Sequence, residues 1–413
     1  MKKFIVLLIL NFQFSIPGAR DCFSQTGWVQ QTSGTNLTFY SVYFVNTNTG
    51  WATGAGGTIR ATTNGGVNWN VQTSGSPYSL TSVHFPAAST GWIVGTSATI
   101  RMTTNGGVNW VSQASGNPAA LWSVYFLNTT TGLAVGGTGN WVIRRTTDGG
   151  ANWSGAAVGA GSPLYCVRFI NPSSGWTCGG DGIIRATTNG GTVWTPQTSN
   201  TGNHLLSLHF PDSTTGWTVG YNGTIRTTTN SGLNWTGQSG GTTRHLHSVF
   251  FTNISIGYIA GDSGTVLKTT NGGLNWIMQA TETFEHLNAI FFADSATGWA
   301  AGGNGIILKT TTGGVTRLIQ HSNEIPKEFK LCQNYPNPFN PKSKIKFQIL
   351  KLSEAKLLIY DILGREAETL VNEQLNAGTY EVEWDASNYP GGVYYYILKA
   401  GDFTQTKKMI LVK

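Results

Sequence analysis

Thr62-Thr63-Asn64-Gly65-Gly66-Val67-Asn68-Trp69 is repeated without change as Thr103-Thr104-Asn105-Gly106-Gly107-Val108-Asn109-Trp110. Variants end at Trp153, Trp194, Trp235 and Trp276, and a decayed copy ends at Arg317. The step is 41 residues throughout, except for one step of 43 between Trp110 and Trp153. Two further landmarks keep this step. One is an apolar segment centred on Val42, Val83, Val124, Val167, Leu208, Val249 and Ile290. The other is a Gly-aromatic pair at Trp51, Trp92, Trp176, Trp217, Tyr258 and Trp299, with Leu133 in the third copy. Three markers in phase through seven copies define one structural unit used seven times.

Within the unit, short apolar runs alternate with clusters of Gly, Asn and Ser, which supply turns needing positive φ or a side chain that caps its own backbone. The first copy reads as strands at Phe39 to Phe44, Trp51 to Thr53, Thr58 to Thr62 and Val67 to Gln72. Four short strands in about 41 residues, repeated radially, make a propeller blade. The fold class is therefore all-β, with a seven-bladed β-propeller over residues 26–317. Blades stack face to face, so middle strands are apolar on both sides. In the seventh copy Arg317 stands where Trp is expected. Trp28-Val29-Gln30-Gln31-Thr32-Ser33-Gly34 matches Trp69-Asn70-Val71-Gln72-Thr73-Ser74-Gly75 one repeat earlier. The N-terminal segment is expected to complete the last blade and remove an open edge. The alternative is that Arg317 to Gln320 pairs there.

Composition agrees. Charged residues are 11% of 413, while Gly contributes 54 and Trp 15. This suits tight turns and indoles wedged between sheets, and not a helical bundle or disordered chain. The net charge of +7 is dispersed with no Lys/Arg block, so a nucleic-acid partner is not indicated. Residues 1–25 read as a secretory signal: Lys2 and Lys3 precede the apolar run Phe4 to Leu10, and Gly18 and Ala19 are small. That run is too short to span a bilayer, and no later segment reads as a membrane helix. Cys22 lacks a small, apolar lipobox before it, so lipidation is not expected.

The Thr62 to Trp69 turn resembles the Asp-box (BNR) turn of neuraminidase-type repeats, with Asn in the place of Asp. The 41-residue unit resembles the repeats of photosystem II assembly and stability factors, a family of seven-bladed propellers, over roughly residues 27 to 317. This motif specifies a fold well and an activity poorly. Locally, the Asn64 side chain is expected to cap the turn, Gly65 and Gly66 to accept positive φ, and Trp69 to pack beneath. Asn105, Asp148, Asn189, Asn230 and Asn271 are expected to do the same as structural residues.

The 41-residue phase ends at Arg317. Residues 318–329 read as a polar linker containing Pro326. Residues 330–413 alternate as strands Lys344 to Ile349, Ala355 to Asp361, Gly378 to Trp384, Gly392 to Lys399 and Met409 to Lys413, with turns at Gly364 and Gly391-Gly392. This pattern indicates a small Ig-like β-sandwich. The segment resembles the type A C-terminal sorting domain of the type IX secretion system of Bacteroidetes and related bacteria. Its matching pieces are Pro336-Asn337-Pro338-Phe339-Asn340-Pro341, Tyr360-Asp361 with Gly364, Gly392-Val393-Tyr394, and Lys413. The resemblance implies the secretion machinery as a partner and delivery outside the cell or to the outer-membrane surface.

Chemistry is sparse. The propeller holds seven acidic residues: Asp148, Asp181, Asp212, Asp262, Glu282, Glu285 and Asp294. Asp181 and Asp262, both in turns between the second and third strands, are the best pair for the two carboxylates of a glycosidase. Turns of about four residues wall no deep cleft. The expected function is a protein- or glycan-binding scaffold, not an enzyme, with no catalytic, cofactor or metal residues. A sialidase- or glycosidase-like hydrolase is the alternative.

Three features are candidate binding surfaces. Arg60, Arg101, Arg144, Arg185 and Arg226 hold one position of the third strand in five successive blades, forming either a basic arc or guanidinium stems packed between blades. Trp141 falls in the two-residue insertion that lengthens the turn between the second and third strands of the third blade, as a platform for a ligand or a lid over the neighbouring turn. Tyr40, Thr81, Trp122, Tyr165, Leu206, His247 and Asn288 share a variable position of the first strand. His245 and His247 lie on one strand face with no third metal ligand near in sequence. Cys166 and Cys178 face each other across a turn, either as a cross-strand disulfide or as two small buried thiols where other copies have Ser41 and Thr53.

Overall fold

The computed structural model describes residues 27–314, 318–322, 324–386 and 389–413. The expected signal segment and Cys22 lie outside them. Two compact units divide the chain: Thr26–Thr316, and a second that includes Arg317–Lys413.

The first unit consists of seven four-stranded antiparallel sheets. In blade one the strands are A (Phe39–Phe44), B (Gly50–Gly54), C (Thr58–Thr62) and D (Asn70–Thr73). The A strands of successive blades touch around a closed ring, blade seven meeting blade one. Closure uses the N-terminal segment: Gly27–Gln31 pairs antiparallel with strand C of blade seven (Ile307–Gly314).

One aromatic arrangement holds the blades together. Phe44, ending strand A, stacks on Trp299 of blade seven with ring centroids 3.5 Å apart, and meets Trp69 of its own blade edge-on at 5.8 Å. Phe85, Phe126, Phe210 and Phe251 repeat this between Trp51 and Trp110, Trp92 and Trp153, Trp176 and Trp235, and Trp217 and Trp276. Phe169 keeps its edge partner Trp194 but lacks the stacked indole, whose place Leu133 takes. Each such ring pair adds about 1 kcal/mol beyond the apolar area it buries. The glycine opening strand B exists for this ring: a Cβ at Gly50 or Gly216 would clash with Phe44 or Phe210.

Serines link the A strands. The backbone N–H of Val83 donates to Ser41 Oγ at 3.3 Å, and Val124, Val167, Val249 and Ile290 donate likewise to Ser82, Ser123, Ser207 and Ser248. Cys166 and Ala289 occupy the remaining two places. Cys166 and Cys178 are directly opposed across strands A and B, and both are buried free thiols.

The repeated turn is built as its composition requires. Thr62 Oγ1 accepts from Gly66 N–H at 2.8 Å, and Asn64 Oδ1 accepts from Asn68 N–H at 2.9 Å. Gly65 and Gly66 have φ of 67° and 91°, the left-handed region that a Cβ disfavours. Asn105, Asp148, Asn189, Asn230 and Asn271 make the same bond four residues on.

The second unit is a sandwich of two four-stranded sheets around one core that includes Phe347, Tyr380, Val382, Trp384 and Tyr396. Its strands include Lys342–Ile349, Ser353–Asp361, Gly378–Asp385 and Gly392–Ala400, close to the sequence reading, and Phe403–Leu411, which starts well before the expected Met409 and ends before Lys413. Two differences have physical causes. Leu318–Ser322, inside the stretch read as a linker, is an edge strand on Gly378–Asp385, whose backbone groups on that side it satisfies. Glu366–Leu375 is an additional strand, masked in the sequence by its charges and by two bulges that break its alternation against Ser353–Asp361. The Pro336 to Pro341 segment is tied to the end of the chain. Phe339 is buried in the core, its N–H donates to Ile410 O at 3.0 Å, and its carbonyl accepts from Val412 N–H at 2.9 Å. Asn337 Oδ1 accepts from Ile410 N–H at 3.0 Å. Lys413 lies just past this strand and is exposed.

Candidate functional site: the axial channel

The ring of A strands encloses a cavity of about 390 Å³. Near the start of the strands its lining includes Tyr40, Thr81, Trp122, Tyr165, Leu206, His247 and Asn288. The variable position identified in the sequence is therefore the wall of one mouth. Trp122 is fixed there by a hydrogen bond from its indole N–H to Gly137 O at 3.1 Å and by edge-on contact with Tyr165.

Three residues further along each strand is a second layer: Tyr43, His84, Tyr125, Arg168, His209, Phe250 and Phe291. His84 Nδ1 accepts from Phe126 N–H and His209 Nδ1 from Phe251 N–H, both at 3.3 Å, so these imidazoles bridge blades as neutral acceptors. Burial, with the Arg168 guanidinium second, pushes both down to about 3. Burial likewise raises the Tyr43 phenol to about 12. Arg168 is thus the one Lys or Arg among the lining residues, and no Asp or Glu lines the cavity. Its guanidinium lies 5.8 Å from the centre of the Tyr125 ring. Among the described residues it has no ion pair. A lone cation walled by aromatic faces and uncharged imidazoles favours an anionic group entering the channel.

The five-arginine arc is placed otherwise. Arg60 is buried; its Nε donates to Ser33 O at 2.8 Å and its guanidinium to Gly34 O at 3.0 Å. Arg144 donates to Ser115 O at 2.7 Å and to Trp153 O. Arg101 and Arg226 donate to Gly75 O and Asn200 O at 2.5 and 2.6 Å. Arg185 lies over the Trp141 ring at 4.4 Å. Four of the five hold the loop entering their own blade, and burial lowers the pKa of Arg60, Arg144 and Arg185. Trp141, read as a loop residue, lies within strand C of blade three (Asn140–Thr146). The two-residue insertion lengthens the C–D ladder, pairing Asn140 with Ala160, and the buried indole packs against the Arg185 guanidinium.

The two carboxylates considered for hydrolysis keep separate company. Asp181 contacts the Ser162 hydroxyl and lies 3.7 Å from His204 Nδ1. It is the only carboxylate on a second groove, beside Arg185 and Asn200. Asp262 Oδ1 lies 2.7 Å from His247 Nε2 and 2.8 Å from His286 Nδ1. The sequence pairs His245 with His247 and offers no third ligand; the structure instead groups His247 with Asp262 of the same blade and His286 of the next. Adding one repeat to His245 gives His286, which is the signal that marks it.

The ring of blades and its axial cavity define a propeller, and the comparisons with known proteins specify its kind. Residues 21–162, 191–277 and 233–337 match the photosynthesis system II assembly factor YCF48 family, and residues 333–413 match the secretion system C-terminal sorting domain. The chain belongs to the YCF48 family, with a sorting tail that indicates type IX export to the cell surface or beyond. No curated protein matches it. Similar solved structures include YCF48 bound to D1 peptide, 23% identical with a TM-score of 0.60, covering 70% of this chain and 98% of that one. YCF48 from Cyanidioschyzon merolae is 20% identical with a TM-score of 0.59, covering 68% and 98%. The WD40 propeller domain of Doa1 is 11% identical with a TM-score of 0.55, covering 68% and 96%. Among the described residues no helix is long and apolar enough to cross a membrane.

Proposed function

We propose that the propeller is an exported protein-binding module that takes an extended, carboxylate-bearing peptide segment into its axial channel, without turnover. The observation that carries this reading is Arg168, a cation with no ion pair among the described residues, in a cavity whose lining includes no Asp or Glu. The aromatic mouth at Trp122 and Tyr165 supplies rigid apolar contact. That a YCF48 structure holds a D1 peptide supports a peptide as the ligand class. Binding is favoured over hydrolysis because Asp181 and Asp262 share no partner and neither lines the channel.

An array of peptides with free or amidated C-termini, run beside a glycan array, tests the proposal. Retention of peptides with a free or side-chain carboxylate, and loss on amidation or neutralisation, is expected. Binding confined to glycans contradicts it. So does polysaccharide turnover abolished by Asp181→Ala or Asp262→Ala.

A further inference from the structure

Three side chains of metal-ligating type meet beside the channel mouth. His247 is on strand A of blade six, Asp262 in the turn after strand B of the same blade, and His286 just before strand A of blade seven. One ligand atom from each lies within 4.8 Å of the others. The repeat shows that this is not the default of the fold. One blade earlier the positions of His247 and Asp262 hold Leu206 and Tyr221, and one blade later Asn288 and Gly303. The two residues that complete the cluster therefore occur together in the one blade whose neighbour supplies His286.

The hydrogen bonds around His286 are the second observation. His204 and His245 accept from the backbone N–H of Asp181 and Asn222 through Nδ1, at 2.9 and 3.1 Å. In the corresponding place His286 Nδ1 faces Ser263 N–H at 3.4 Å, and also lies 2.8 Å from Asp262 Oδ1. One nitrogen cannot accept from the amide and donate to the carboxylate at once. The carboxylate contact is much the shorter, so this nitrogen is directed at Asp262 rather than at the amide, in position either to donate a proton to the carboxylate or to bind a cation together with it. Asp262 is meanwhile aimed from behind, its Oδ2 accepting from His245 N–H at 3.3 Å. Metal sites commonly hold their carboxylates in this way.

We infer that His247 Nε2, His286 Nδ1 and an Asp262 carboxylate oxygen form a binding site for a divalent transition-metal ion of the zinc class. Two imidazoles and a carboxylate suit zinc, with a further position for water or a ligand group. The site joins blades six and seven, so metal binding couples to propeller stability.

The test uses untagged full-length protein stripped with chelator and titrated with Zn²⁺ by calorimetry, with metal content measured after desalting. One zinc per chain, a melting temperature raised by zinc, and at least tenfold weaker binding in His247→Ala and Asp262→Asn are expected. His204→Ala, at the equivalent repeat position without the cluster, is expected to bind as the wild type does. Each variant's melting curve without metal establishes that it folds, and His286→Ala, changing a largely exposed side chain, provides a ligand variant with little structural role. Less than one-tenth of a zinc per chain overturns the inference. So does affinity unchanged in folded His286→Ala, or reduced equally in His204→Ala.

Discussion

Trp28 meets Phe292 edge-on, with ring centroids 5.8 Å apart and ring planes at 87°. Trp69 meets Phe44 at the same separation and angle. An indole near the start of the described chain thus fills the place left by Arg317, and Phe292 completes its sandwich by stacking on Tyr258 at 3.8 Å. Ring closure therefore rests on a side chain distant in sequence from the blade it finishes. Trp28→Ala is expected to cost about 3–5 kcal/mol, similar to Trp69→Ala, as measured by urea unfolding. A cost below about 1 kcal/mol would show that the N-terminal strand is not needed for closure.

The glycines that begin the B strands are a second test of the aromatic arrangement. Gly216→Ala drives a methyl group into the Phe210 ring. A loss of about 1–3 kcal/mol is expected from overpacking. Gly202 has nothing within 4 Å of a new Cβ, so Gly202→Ala is expected to be neutral or slightly stabilising. Equal effects of the two would contradict the packing argument.

The bridging imidazoles predict a pH dependence. His84 and His209 are held near 3 in the folded chain, whereas an unfolded histidine titrates near about 6.5. Between these values the unfolded state binds more protons, so stability is full above the unfolded value and is lost as the pH falls toward 3. Each histidine contributes a slope on the order of 1 kcal/mol per pH unit in that window. Asp148, lowered to about 2 chiefly by the Asn152 backbone N–H, adds its loss only below the ordinary carboxylate range. Melting temperatures taken from pH 7 to pH 4.5 are expected to fall, and to fall less steeply in the His84→Gln, His209→Gln double variant. A wild-type profile flat from 7 to 4.5 would contradict this assignment.

Periodicity made the propeller legible, because Phe44, Gly50, Trp51 and Trp69 answer one packing problem seven times. Closure was legible for the same reason, since Trp28 keeps the phase that Arg317 loses. The channel was less so. Arg168 shares its position with Tyr43, His84, Tyr125, His209, Phe250 and Phe291, so nothing about its own neighbours in sequence marks it as a lone cation. His286 was missed because a search along the chain stops within a blade, whereas the ring brings the next blade alongside. Trp141 and Leu318–Ser322 were read as turn and linker because an insertion and an edge strand leave little hydrophobic pattern.

Calorimetry with one carboxylate-bearing peptide, comparing wild type, Arg168→Ala and Arg226→Ala, tests the channel assignment most directly. Arg168→Ala is expected to weaken binding at least about tenfold, the worth of one hydrogen bond to a charged group. Arg226→Ala, which removes a contact to Asn200 O outside the channel lining, is expected to leave affinity within about twofold. The reverse pattern, with Arg226→Ala losing affinity and Arg168→Ala retaining it, would move the binding surface to the outer arc and contradict the account.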